Sequence, residues 1–160
     1  MLGRGRGLLS RSQRSRPVPD EIQNLPKIDL HHHLDGAIRT ETIVDLAREH
    51  DVELPSYDVA ELKEEVAAPP RGGSLAQFLN CFETFYPVLQ YPEAVQRVAY
   101  EVCEDLAEQN VLYAETRFAP LLLTEEGASQ ADIVEAALSG LERGNREYDL
   151  TVNLLLCLYR

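Results

Sequence analysis

Three histidines, a carboxylate and a glycine fall within the six residues from His31 to Gly36 of the segment Ile28-Asp29-Leu30-His31-His32-His33-Leu34-Asp35-Gly36. Nothing else in the chain gathers so much ligand chemistry into so little sequence. Side chains two apart on a strand share a face, so His31 and His33 project together while His32 points back into the layer between strand and helix. Two imidazoles held on one face of a rigid strand make half of a zinc site, since zinc takes histidine nitrogens at about 2.0–2.1 Å. His32 is expected to be packed or hydrogen-bonded behind the strand and not to be a ligand. An isolated His-x-His is common on strand surfaces. This one stands at the C-terminal end of the first strand of a β/α series, where active sites of such folds gather. Asp35, charged and on the turn that follows, has little structural reason to be there.

The elements that must position these groups follow from pattern. Pro26 stands at the entry of a strand over Lys27 to His31, where no ladder donor is lost. Thr40 is an expected N-cap for a helix carrying Ile43, Val44 and Ala47 up to His50. Asp58-Val59-Ala60-Glu61 has the form of a capping box for a short helix with Val59, Leu62 and Val66 on one side, and residues 67–73, rich in proline and glycine, read as a loop. Ser74-Leu75-Ala76-Gln77 forms a second such box. Phe78, Leu79, Phe82 and Phe85 then make an apolar stripe that stops at Pro87; it could wall a ligand pocket, but core packing is the first expectation at this period. A long helix runs from Pro92 to Asn110, with Ala94, Val95, Val98, Ala99, Val102 and Leu106 recurring at helical spacing.

Val111 to Phe118 is predicted to be the second strand, with Tyr113, Glu115 and Arg117 on one side and Leu112, Ala114, Thr116 and Phe118 on the other; Glu115 and Arg117 are placed to pair. Ser129 and Asp132 open a helix whose Ile133, Ala136, Ala137 and Leu141 face inward and which runs towards Tyr148. Thr151 to Leu158, nearly all apolar, is expected to be a third strand buried on both faces. Strands alternating with helices point to an α/β fold with a parallel sheet. Three parallel strands cannot close a barrel, so the segment is expected to be the N-terminal part of a longer protein.

Composition bounds the partners. With 160 residues and 44% hydrophobic content the chain can bury the core of one domain. Residues 1–24 are expected to form a basic, disordered leader, because Arg4, Arg6, Arg11, Arg14 and Arg16 occur there before any acid; residues 25–160 are expected to form the folded part. The net charge of −12 disfavours nucleic acid as a partner, though not a small base or nucleoside. No apolar run approaches the roughly twenty residues of a membrane span. Cys81, Cys103 and Cys157 lie far apart and form no Cys-x-x-Cys pair, as expected of reduced thiols in a cytoplasmic protein.

Leu25-Pro26-Lys27-Ile28-Asp29-Leu30-His31-His32-His33-Leu34-Asp35-Gly36, with Ile38-Arg39 and Thr42-Ile43, resembles the N-terminal signature of the adenosine deaminases, in the metal-dependent amidohydrolase superfamily. The resemblance continues through Ser74-Leu75-Ala76-Gln77-Phe78-Leu79 with Phe82, through Ala99-Tyr100-Glu101, and through Tyr113-Ala114-Glu115-Thr116-Arg117-Phe118-Ala119-Pro120. It covers residues 25–160 in order and with compatible spacing.

The resemblance implies the first three strands of a TIM (β/α)8 barrel that holds one zinc ion. His31 and His33 match its first two ligand positions. His33 and Asp35 match substrate-binding positions, Asp35 being the carboxylate that accepts from the ribose 5′-hydroxyl. Phe78, Leu79 and Phe82 match the helix along the purine, which moves the expectation for that stripe from core towards pocket wall. The family's catalytic Glu, its further His and its last two metal ligands match nothing before Arg160 and are expected beyond it.

The implied reaction is hydrolytic deamination of adenosine, and of 2′-deoxyadenosine, to inosine. Relatives that act on adenine carry Glu, and those that act on methylated nucleotides Asn, where this sequence has Asp35, which favours a nucleoside with a free 5′-hydroxyl. The alternatives are deamination of another purine or modified nucleoside, or a catalytically incomplete protein that acts by binding. Cytidine-deaminase-like zinc enzymes are set apart by a Pro-Cys-x-x-Cys element absent here.

Overall fold

The computed structural model describes residues 19–67 and 74–158. Three parallel strands, β1 (Lys27–His33), β2 (Val111–Phe118) and β3 (Thr151–Leu156), lie side by side in chain order. Before and between them come six helices among the described residues: α1 (Asp20–Gln23), α2 (Thr40–Glu49), α3 (Val59–Val66), α4 (Leu75–Phe85), α5 (Pro92–Glu108) and α6 (Gln130–Tyr148). Short 3-10 turns cover Asp35–Ala37, Tyr86–Leu89 and Pro120–Leu123. This is the expected α/β arrangement, the strand order of the N-terminal part of a (β/α)8 barrel. Only the end of the expected leader is described, and it contains α1; the rest of the leader and the loop at 68–73 lie outside the described residues. No helix among the described residues is long and apolar enough to cross a membrane.

Local chemistry sets most boundaries. Asn110 adopts a positive φ of 58°, a conformation that asparagine tolerates well, and its carbonyl accepts from the Lys27 amide at 2.9 Å where β1 begins. Its side chain donates to Asn24 O at 2.6 Å, fastening the entry of β1 to the turn before β2. Asp58 caps α3 by accepting from the amides of Ala60 and Glu61. Glu61 does not close a direct reciprocal box: the Ser56 hydroxyl accepts from the Asp58 amide and donates to Glu61. Ser129 and Asp132 do form the reciprocal box at the start of α6. At α2 the N-cap position belongs to Arg39, with Thr40 the first helical residue, so no side chain caps that helix. The Ser74–Gln77 box lies outside the described side chains, although the Phe78 amide does donate to Ser74 O.

Arg39 has other work. Its guanidinium forks onto Asp105 and Glu104 of α5, at 3.1 Å from Nε to Asp105 and 2.8 Å to Glu104. Hydrogen bonding to Asp105 raises its pKa above the usual arginine value, with burial opposing and Glu104 assisting. Tyr148 donates to Glu104 as well, so α2, α5 and α6 share one polar cluster. Thr42 and Arg97 both donate to the buried Glu101, which places the Ala99-Tyr100-Glu101 block in scaffolding between α2 and α5.

The core lies between the helices and one face of the sheet, where Ala114, Thr116, Phe118 and Val152 are buried against residues such as Val95, Val98, Val102 and Ile133. Three details of the strands depart from expectation. Leu112 is exposed, because the β1–β2 register steps from Lys27↔Val111 to Ile28↔Tyr113 and leaves it unpaired. Glu115 and Arg117 do not pair with each other: Glu115 accepts from the Tyr113 hydroxyl, and Arg117 donates to Leu30 O at 2.7 Å. In β3 only Val152 is buried, so the strand is covered on one face and not on both.

α5 and α6 approach closely at two glycines. A methyl group at Gly140 would meet Ala99 Cβ at 2.8 Å and the main-chain oxygen of Gln96 closer still, and one at Gly144 would meet Cys103 Sγ at 2.6 Å. Burial pushes the Cys103 thiol up to about 11, as expected of a packed and unreactive cysteine. Alanine favours an isolated helix over glycine by about 1 kcal/mol, yet overpacking against a backbone atom outweighs that. Gly140→Ala is therefore expected to lower stability by about 2 kcal/mol, read as a shift in the urea midpoint of the whole protein; a stabilised variant would contradict the packing described.

Candidate active site

The phase of β1 is decided by a bulge. Pairing runs Asp29↔Ala114 and then His32↔Thr116, so Leu30 and His31 together stand opposite one residue of β2. Asp29 Oδ1 accepts from the His31 amide at 3.0 Å, which turns the chain at that point, while Arg117 satisfies the Leu30 carbonyl. Ile28, Leu30, His31 and His33 are exposed in consequence, whereas Asp29 and His32 are half-buried.

His31 and His33 do lie together. Their ring centroids are 5.4 Å apart, with the ring planes tilted by 42°. Two imidazoles on one tetrahedral zinc, at ~2.0–2.1 Å per bond, have ring centres about 5 Å apart, so the pair fits a shared ion. His33 Nδ1 lies 3.6 Å from Asp35 Oδ1, close but longer than a hydrogen bond. Among the described residues no third His, Cys, Asp or Glu completes a metal cluster. Among the described residues the pair would supply two of the four donors that tetrahedral zinc takes. His32 turns back as expected, its Nδ1 at 3.2 Å from the Thr116 hydroxyl, and burial lowers its pKa; its ring still forms part of the cavity wall.

That cavity encloses about 430 Å³ between the end of β1 and helices α3 and α4, a volume in the range of small-molecule sites. The three histidines line it at one side, and Val66, Phe78, Cys81, Phe82 and Phe85 at the other. Gly36 lies on its floor, where an added Cβ would touch Phe82 at 3.7 Å. Of the stripe on α4, Phe78 and Phe82 face this space in an edge-to-face pair, while Phe85 is buried and also reaches the cavity wall. Leu79 is exposed and does not line the cavity.

Asp35 is the buried member of the set, at 8% exposure. Its Oδ1 accepts from the Gly36 amide at 3.0 Å, and its Oδ2 accepts from the Tyr86 hydroxyl at 2.9 Å. The carboxylate is adjacent to the cavity, between His33 and Gly36, without being part of its wall. Tyr86 escapes a reading of the sequence: it follows the phenylalanine stripe as one more aromatic, and only the fold brings it to Asp35.

Gln90 is equally invisible in sequence. Buried at the end of the Tyr86–Leu89 turn, it donates to Tyr86 O at 3.1 Å and Leu122 O at 3.0 Å, and accepts from the Glu125 amide at 2.9 Å. One amide side chain thereby joins the turn after α4 to the loop after β2.

Residues 26–160 match the profile of the family described as adenosine deaminase. The chain belongs to the adenosine deaminase family. An adenosine deaminase of Clostridium perfringens is 42% identical over 139 residues, which are 87% of this chain and 42% of that protein. The chain therefore spans about two fifths of the length of such relatives. A zinc-bound amidohydrolase of Burkholderia ambifaria superposes with a TM-score of 0.70 at 27% identity, over 84% of this chain and 36% of the other. The N6-mAMP deaminase of Arabidopsis also gives 0.70, at 33% identity, over 87% of this chain and 42% of its own.

The Gln90 bridge allows a test of how firmly this region is held. Gln90→Leu keeps the volume but leaves two part-buried carbonyls and one amide without that partner, an expected cost of about 1–2 kcal/mol. Chemical denaturation of the whole protein reads it; a loss below a few tenths of that value would mean that the bridge is not structural.

Proposed function

We propose that the whole protein deaminates adenosine, and 2′-deoxyadenosine, hydrolytically to inosine, and that this chain supplies its substrate-binding half and part of its metal site. The observation that carries the reading is the paired imidazoles of His31 and His33, 5.4 Å apart and facing a cavity walled by Phe78 and Phe82. His31 and His33 would hold zinc together with donors outside the described residues. When bound, zinc supplies the Lewis acidity that makes water nucleophilic near neutral pH. The aromatic wall of α4 takes the purine by edge and face contacts, with Phe78 and Phe82 against the base. Asp35 accepts the ribose 5′-hydroxyl, and His33, next to it, ties the sugar end of the site to the metal end. Proton transfer to the ring falls to groups outside residues 26–160. Cys81, Cys103 and Cys157, none of them in a disulfide, suit a cytoplasmic enzyme.

Likeness to an N6-mAMP deaminase raises a second reading, a 6-substituted nucleotide as substrate. The charge of Asp35 favours the nucleoside: a carboxylate with both oxygens already accepting hydrogen bonds would repel a 5′-phosphate in the same place. Ammonia release from adenosine and from AMP, with and without a zinc chelator, separates the two.

Two substitutions follow. His33→Ala is expected to remove bound zinc, measured by elemental analysis, and to lower turnover by at least about 10³-fold; retention of both would refute the ligand role. Asp35→Ala is expected to lower kcat/KM for adenosine about 100-fold, while adenine, where it is turned over at all, loses little. Equal losses on both would remove the hydroxyl from the account.

A further inference from the structure

We infer that Tyr86 is a positioning residue for the Asp35 carboxylate and, through it, sets the affinity of the site for the sugar 5′-hydroxyl. The inference rests on the reading that Asp35 accepts that hydroxyl, and adds the group that fixes how it does so. A carboxylate offers about four acceptor positions over its two oxygens. On Asp35 the Oδ1 side faces the Gly36 amide at 3.0 Å and His33 Nδ1 at 3.6 Å, and the Oδ2 side takes the Tyr86 hydroxyl at 2.9 Å. Gly36 takes one position on Oδ1 and Tyr86 one on Oδ2, so the acceptor positions left for a ligand hydroxyl turn with the carboxylate plane, and Tyr86 fixes that plane at Oδ2.

Tyr86 is itself fixed from three sides. Its ring stands edge-on to Phe82, with centroids 5.4 Å apart at 75°, and to Phe85, 5.8 Å apart at 87°. Its main-chain oxygen accepts from Gln90, whose other bonds reach the loop after β2. A phenol so held cannot follow the carboxylate, so the carboxylate is held to the phenol. The chemistry of the donor matters as well. A neutral hydroxyl steadies the anion without cancelling its charge, as a lysine or arginine would, and Asp35 stays a strong acceptor. Phe82 touches both Tyr86 and the cavity, so the group that orients the sugar-binding carboxylate packs on the wall assigned to the base.

Tyr86→Phe deletes one oxygen and keeps every ring contact. In the whole zinc-loaded protein, kcat/KM for adenosine is expected to fall about tenfold, the size of one hydrogen bond to a charged group, with the loss in KM and kcat nearly unchanged. 5′-Deoxyadenosine, which lacks the hydroxyl, should change by less than about twofold. The adenosine to 5′-deoxyadenosine ratio does not depend on how much enzyme is folded, so it is read even if the variant is less stable. Equilibrium binding of inosine against 5′-deoxyinosine gives the same comparison without turnover. Equal losses on both ligands, or no loss on either, would overturn the positioning role. Asp35→Ala measured alongside keeps the two ideas apart: if it discriminates between the ligands and Tyr86→Phe does not, only the role of Tyr86 fails. If Asp35→Ala fails to discriminate, the hydroxyl reading fails, and the role of Tyr86 with it.

Discussion

The register of β1 against β2 is the constraint on which the site depends. A parallel ladder dictates which side chains face which layer, and a single extra residue inverts that choice for everything beyond it. Here the extra residue falls at Leu30 and His31, so the bulge takes in the first of the two paired histidines and precedes the second. Its geometry is held by two polar contacts, Asp29 to the His31 amide and Arg117 to the Leu30 carbonyl. Both residues belong to the family-like blocks of sequence, and neither touches the cavity. Their part is to keep one strand in phase with its neighbour so that His31 and His33 face the same space.

The same bulge shows how far sequence reasoning reaches. His31 and His33 are two apart, the first within the kink and the second beyond it, and alternation between them puts both on one face with His32 behind. Applied across the kink, alternation would group Ile28 and Leu30 with His32, yet these two are exposed, as His31 and His33 are, while His32 is half-buried. The α/β order was legible because helix caps and apolar periods are local signals: Ser129 with Asp132 and the whole of β2 stand where pattern puts them. Burial was less legible, since it depends on what covers a face. The apolar run of β3 reads as a strand covered on both sides, but among the described residues only one face is covered.

Within the site, the residues whose chemistry announces itself were the easy part. Paired histidines, a turn aspartate and a phenylalanine stripe stand out by type and spacing. Tyr86 and Gln90 do not, because a tyrosine after two phenylalanines and a glutamine near a proline are unremarkable until the chain folds. What they hold is orientation: the direction of one carboxylate and the separation of two loops. Such roles leave no local pattern, as the partners lie 51, 32 and 35 residues away in sequence.

Helix α4 has a property that bears on how a ligand could enter. Its last turn is anchored, with Phe85 buried and Tyr86 bonded to Asp35, while Leu75 at its start is 72% exposed and Leu79 51%. Burial therefore rises along the helix, and the free energy needed to open it locally must rise in the same direction. The first turns can fray at small cost while the last stays with the core. Amide exchange along α4 would then be graded, with fast protons at Leu79 and slow ones at Phe85. Opening at that end would leave the packing of α5 against α6 undisturbed.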